Sequence, residues 1–192
     1  MSDPRPEVLD FLLTRRSRPA KTLTTPVPSH AELVPILTAA ARTPDHGKLE
    51  PWRFIVLEGE ALQRLADDVV KRGPNLGVEG EKLEKARRLF ADAELVVAVI
   101  SSPMASPKVP EIEQILSSGA VCLSMLNAAL ASGWGANWLT GWMATDRAFL
   151  RQSMSLSKSE FVAGFIHIGT EKFTPPERPR PDVDAITSWI SE

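Results

Sequence analysis

Glu94-Leu95-Val96-Val97-Ala98-Val99-Ile100-Ser101 is the stretch on which the fold turns. Its apolar run does not alternate with polar residues, so it reads as a strand covered on both faces, at the centre of a sheet. Upstream, Arg53 to Leu57 forms a second strand around Phe54, Ile55 and Val56. Two helices follow it, Glu60 to Lys71 and the charged Glu79 to Phe90, separated by Gly73-Pro74-Asn75-Leu76-Gly77. Downstream, a loop from Pro103 to Pro110 leads into a long helix from Glu111 to Ser132, closed by Gly133 in the left-handed position that glycine favours. Trp134 to Leu139 is a strand, Thr145 caps a short helix running through Arg151, and Phe161 to Ile168 is the last strong strand. Nearer the N-terminus, Glu7 to Arg16 forms a helix, and Ser29-His30-Ala31-Glu32 is a capping box opening a second helix to about Thr43. The element order predicts one domain over 1–192 of class α+β or α/β, with a mixed central sheet flanked by helices. Segment 71–90 is expected as a mobile lid and 171–192 as an extended Pro-rich tail, with a short terminal element at Ala185 to Ile190.

The composition bounds the chemistry. In 192 residues, 22 basic and 24 acidic side chains leave a net charge of −2, without the basic excess that tracks nucleic acid. A single cysteine, Cys122, rules out an internal disulfide, a CxxC redox pair and a cysteine-rich zinc site. The first residues carry no basic-then-apolar leader pattern, and Ile112 to Ala131 holds Glu113, Gln114 and Asn127, too polar for a membrane span. A cytoplasmic protein with no nucleic-acid or membrane partner is the expectation.

Familiar catalytic signatures are missing. There is no GxSxG elbow, no HExxH and no phosphate-binding P-loop, and the three histidines lack metal-ligand spacing, so no metal is expected. Gly133-Trp134-Gly135 follows a helix and precedes a strand, the reverse of a dinucleotide fingerprint. If the protein is an enzyme, its chemistry sits on a bound cofactor.

Four segments suggest what that cofactor is. Arg15-Arg16-Ser17-Arg18 offers guanidinium forks and a hydroxyl suited to phosphate, or simply cations near a helix C-terminus. Arg42 to Phe54 (RTPDHGKLEPWRF) is a polar loop between a helix and a strand, either a binding loop or a plain turn. Gly133 to Trp142 (GWGANWLTGW) sets three tryptophans among small residues, forming a flat apolar platform or ordinary core. Gly169-Thr170-Glu171-Lys172 then leads to Arg178 and Arg180, held among prolines that lower the entropy cost of fixing a cation.

Taken together, these segments resemble the nitroreductase family of flavin enzymes, most closely its small YdjA-like branch. Arg15-Arg16-Ser17 is similar to the family's N-terminal Arg-Arg-Ser phosphate motif. Arg42, Pro44-Asp45-His46 and Pro51-Trp52-Arg53-Phe54 resemble the R-A-P-D-H and P-W-x-F segment of that branch. Trp138-Leu139-Thr140-Gly141 falls where the branch has Trp-Arg-Ser-Gly, with Leu139 replacing the arginine. Gly164 to Thr170 resembles its closing Gly-Phe-x-x-x-Gly-Thr strand, so the likeness runs from about Leu9 to Lys172.

The resemblance implies an α+β fold, an intertwined homodimer with FMN at the interface, NAD(P)H as co-substrate and a small-molecule acceptor such as a nitroaromatic, a quinone or an enone. It implies a ping-pong hydride mechanism with the chemistry on FMN and no assigned catalytic side chain. Arg15, Arg16 and Ser17 would meet the phosphate and ribityl chain. Arg42 and His46 would reach the flavin from the other subunit, and Trp138, Leu139, Thr140 and Gly141 would line the ring. Arg178 or Arg180 is added to the phosphate by charge, without a motif match. Arg42 or Lys48 is a candidate to stabilise negative charge on the reduced ring. The helix from Glu111 to Ser132 is assigned to the core and the dimer interface. Alternatives to an oxidoreductase are an FMN-binding carrier or sensor without efficient turnover, and a purely structural dimer.

Overall fold

The computed structural model describes residues 3–192. Eleven elements build it: α1 Pro6–Thr14, β1 Leu23–Thr24, α2 His30–Ala40, β2 Trp52–Glu58, α3 Glu60–Arg72, α4 Gly80–Ala91, β3 Leu95–Ser101, α5 Glu111–Ala131, β4 Gly135–Leu139, α6 Arg147–Met154 and β5 Phe161–Glu171. All seven residues of β3 are buried, as the unbroken apolar run requires. Val96, Ala98 and Ile100 join a core layer with α3, α4 and α6 around Phe90, Phe149 and Phe165. Leu95, Val97 and Val99 join the opposite layer with α2 and α5 around Ile36, Met125 and Ile166.

The sheet runs β1-β5-β3-β2, with β4 also on β5, and every pairing is antiparallel. This corrects the expected mixed sheet. Two helices separate β2 from β3, so the chain goes back and forth once more and returns antiparallel to β2. One helix, α5, separates β3 from β4, which therefore run in the same direction. They never pair, because β5 lies between them, with Phe165 opposite Ala98 on one edge and Leu139 on the other.

Local rules explain most element ends. The capping box of α2 is formed: the Ser29 hydroxyl accepts from the Glu32 amide, and a Glu32 carboxylate oxygen accepts from the Ser29 amide at 2.9 Å. Gly133, past the end of α5, has φ of 86°. The cap of α6 is Asp146, which accepts from the Phe149 amide at 2.8 Å, and Thr145 is not the cap as expected. Aspartate caps somewhat better than threonine, and here Asp146 is also held by two hydrogen bonds from Arg72. Strand β5 extends to Glu171 because the short β1, unsuspected from sequence, pairs with Thr170 and Glu171. The terminal element is one short helical turn, Asp184–Ile186.

By length and hydropathy α5 could cross a membrane, yet it lies against α2 and the sheet with Gln114, Ser117 and Ser118 buried among hydrogen-bond partners.

Candidate functional site

Helix α1 stops at Thr14, and Arg15 turns to an extended conformation with φ of −56° and ψ of 144°. The chain is then stitched to β4. The Arg18 amide donates to the Ala136 carbonyl at 2.8 Å, and the Asn137 side-chain amide donates to the Arg18 carbonyl at 2.6 Å. This places Arg15, Arg16 and Arg18 side by side, with Arg15 donating to the Ser17 hydroxyl at 3.0 Å. Arg180 reaches in from the tail, its guanidinium 3.5 Å from the Arg15 carbonyl. Burial, and then the neighbouring charges of Arg180, Arg16 and Arg18, hold the Arg15 guanidinium below its ordinary pKa.

Two carboxylates answer these four cations: Glu171 pairs with Arg18, and Glu177 pairs with Arg180 at 2.9 Å. The cluster therefore carries a surplus of two positive charges. The Nε atoms of Arg15 and Arg16 are buried without a partner. A phosphate monoester, with a charge of about −1.5 to −2 near neutrality, complements such a cluster. Both tail arginines are exposed; Arg180 reaches the cluster, and Arg178 is bound through its backbone amide to Glu177.

Beside the cluster opens a cavity of about 850 Å³ between α4 and the sheet. Pro19, Ala20 and Lys21 form its rim, Asn137, Leu139 and His167 its floor, and α4 its roof. Helix α4, inside the segment expected as a lid, anchors Ala86 and Phe90 in the core and turns Glu81, Lys85 and Leu89 to the cavity.

The two-residue period of β4 sends Asn137 and Leu139 to the cavity and Trp138 to the other face. There the Trp138 indole donates to the Ala163 carbonyl at 3.2 Å, and Trp138, like Trp134, packs against the α5 layer. Trp142 goes to the opposite layer, edge-on to Phe149 at 5.4 Å. The three tryptophans thus do not form the single platform read from their spacing. Thr140 and Gly141 are exposed just past the end of β4, with Gly141 at φ of 135°.

Arg42 and His46 lie elsewhere. Their loop is fastened to the N-terminal half of α5: His46 Nδ1 is 2.7 Å from a Glu113 carboxylate oxygen, and the Ser117 hydroxyl donates to the Pro44 carbonyl at 2.8 Å. The arginine cluster adjoins β4, which begins at the C-terminal end of α5, where the Trp134 amide meets the Ala129 carbonyl. From Glu113 to Ala129 the helix rises about 24 Å. Within the chain the two halves of the expected site therefore lie apart.

The Arg42–His46 loop is also strained in a way its composition did not reveal. Lys48 and Glu50 have φ of 54° and 48°, and Asp45 holds the turn by accepting from the Glu50 amide at 2.7 Å.

Sequence reasoning missed His167 and Asn137. The available signal was a histidine within the apolar strand Phe161 to Ile168, at a position whose neighbours two residues away face the core. Its ring is buried, its Nε2 has no partner, and burial pushes its pKa down to about 4. Among the described residues, no group of His, Cys, Asp or Glu could hold a metal ion.

The chain thus sets an antiparallel sheet between two helical layers, with an arginine cluster next to a cavity whose rim begins at Pro19. The Nitroreductase family matches residues 12–170, and the chain belongs to this family of oxidoreductases. It is 32% identical over 164 residues to the "Putative NAD(P)H nitroreductase YdjA" of Escherichia coli (strain K12), covering 85% of this chain and 88% of that one. It is 36% identical over 165 residues to the "Putative NAD(P)H nitroreductase" of Haemophilus influenzae, with the same coverage of 85% and 88%. In fold it is similar to a nitroreductase-like protein of Bacillus cereus, with a TM-score of 0.79, 21% identity and 99% of each chain covered. It is also similar to the "putative nitroreductase in complex with fmn" of Desulfovibrio desulfuricans, with a TM-score of 0.72, 22% identity and 97% and 96% of the two chains covered.

Proposed function

We propose that the protein is a cytoplasmic FMN-dependent oxidoreductase that uses NAD(P)H to reduce small acceptors such as nitroaromatics and quinones. The observation that carries this reading is the arginine cluster with its surplus of two positive charges, one residue along the chain from the Pro19 rim of a cavity of about 850 Å³. Arg15, Arg16, Ser17 and Arg180 would hold the phosphate. Leu139, Thr140 and Gly141, at the mouth of the cavity and just beyond, would border the ring, with backbone N–H groups available where β4 ends. FMN held by these residues would supply the redox chemistry, hydride acceptance from NAD(P)H and two-electron reduction of the acceptor. The chain's own contribution is to fix the phosphate, exclude water from one face of the ring and stabilise negative charge.

The site is completed, in this reading, by a second copy of the chain. Arg42 and His46 lie about 24 Å along α5 from the arginine cluster. An antiparallel two-fold pairing of α5 with its counterpart would bring one copy's Arg42 loop to the other's cluster. Helix α5 has the surface for it: Ile112, Leu116 and Leu123 are exposed at spacings of four and seven, on the side away from the core. Helix α1 has no buried residue, and its Leu9 and Leu13 are bare, which also suits an intertwined dimer.

The test is direct. Purified protein should be yellow, release FMN on denaturation and bleach on anaerobic addition of NADH or NADPH. Colourless protein that cannot be reconstituted with FMN would reject the reading. Yellow protein that neither nucleotide bleaches would make it a flavin carrier.

A further inference from the structure

Strand β5 sends Phe165, His167 and Gly169 toward the layer of α3 and α4, where the core is otherwise apolar. His167 stands in the middle of this row, opposite Val96 of β3 on one side and Asn137 of β4 on the other. A histidine kept only for packing would find a hydrogen-bond partner. This one leaves Nε2 buried and unpaired, while its ring contributes to the floor of the cavity beside Asn137. An unpaired buried polar group is a standing cost to the fold, which Phe or Leu at this position would avoid.

The surroundings indicate what the ring meets. Around the cavity, Lys21, Lys85 and Arg88 are matched by Glu81, Glu84 and Asp92, so no net charge favours an ion there. The phosphate-seeking charge lies next door, at Arg15, Arg16 and Arg180. A neutral imidazole carries one N–H donor and one lone pair, which suits a heteroatom at the edge of an uncharged ring.

We propose that His167, with Asn137 beside it, forms a polar floor that hydrogen-bonds a heteroatom of the flavin ring system, making His167 a cofactor-binding residue. The inference rests on the flavin reading above and adds to it a contact from the centre of β5, away from the arginine cluster and the end of β4.

The experiment is FMN titration of apoprotein, followed by flavin fluorescence and the visible spectrum, for wild type, His167→Phe and His167→Gln. His167→Phe should raise the FMN dissociation constant about three- to tenfold and move the bound flavin's absorption bands, while His167→Gln should stay within about twofold of wild type. In parallel, the ring nitrogen shifts of His167 in ¹⁵N-histidine-labelled wild type should move on FMN addition, a readout that needs no variant to fold. A His167→Phe protein with wild-type affinity and spectrum overturns the proposal, as do imidazole shifts that ignore FMN. Wild-type protein that takes up no FMN overturns the flavin reading as well, an outcome distinct from binding that is indifferent to His167.

Discussion

The indole of Trp138 occupies the space that a side chain on Gly164 would need. A β-carbon on Gly164 would lie 2.5 Å from Cδ1 of Trp138 and 3.0 Å from Sγ of Cys122. The absence of a side chain on β5 therefore sets where the tryptophan of β4 sits, and with it the chain that leads into Leu139, Thr140 and Gly141. Gly164→Ala is expected to destabilise the protein by about 1–3 kcal/mol through overpacking, read as a lowered Tm. It should also weaken FMN binding, because the displaced indole drags the end of β4.

Removing a cation from the arginine cluster should act with opposite signs on binding and folding. Arg15→Ala is expected to weaken FMN binding by about 1.5–3 kcal/mol, the scale of a charged hydrogen bond. The Tm of the apoprotein should not fall, since Arg15 faces the repulsion of Arg16, Arg18 and Arg180 when no anion is present. Arg178→Ala is the control, because Arg178 stays outside the cluster. Calorimetry of both apoproteins and FMN titration separate the two effects.

A charge placed on the bare stripe of α5 should separate protomers. Leu116, 65% exposed, is the most open of the three apolar residues. Leu116→Glu is expected to give monomers in sedimentation velocity with unchanged far-UV circular dichroism, and to release FMN. Monomers that keep FMN would show that Arg42 and His46 of a second copy are not needed.

Acid should unfold the protein in two windows. The folded pKa of His167 is about 4, below its ordinary 6.5, so the unfolded chain takes up a proton that the folded one refuses. Stability is therefore undiminished above pH 6.5 and declines, by on the order of 3 kcal/mol in all, as pH falls from 6.5 through about 4. The charged groups around that cavity are Lys21, Glu81, Glu84, Lys85, Arg88 and Asp92. Glu160, hydrogen-bonded by Arg53 and the Ser157 amide, is held at about 2 against an ordinary 4.5. Its contribution is whole above 4.5 and is lost as pH falls through about 2. Denaturant titrations at stepped pH should show both losses, with His167→Phe removing the first and Glu160→Gln the second.

The start of α6 tests a local rule against a tertiary one. Asp146 caps the helix and receives two 2.8 Å hydrogen bonds from Arg72. Asp146→Ala is expected to cost about 2 kcal/mol, a cap plus part of a charged pair, whereas Thr145→Ala should change stability by less than about 0.5 kcal/mol. Thermal unfolding of the two variants decides it.

The sequence alone determined what depends on neighbours a few residues apart. The apolar run of β3, the helical periods, the Ser29–Glu32 box and Gly133 after α5 all act through short-range sterics and hydrogen bonds, and they stand where the sequence put them. The order of Arg15-Arg16-Ser17, Pro44-Asp45-His46 and Trp138 to Gly141 was legible too, and with it the family. Only the tertiary structure decided which way those residues face and which of them meet. The register of β4 on β5 turned Trp138 away from the cavity and Asn137 into it. The insertion of β5 between β3 and β4 made every pairing antiparallel. The path of the tail chose Arg180 over Arg178, and the rise of α5 set Arg42 and His46 far from Arg15. These outcomes depend on contacts between segments distant along the chain, where composition and spacing carry no information about side-chain direction. His167 shows the same limit: its letter was visible, but its lack of a partner existed only once Asn137, Val96 and α4 had closed around it.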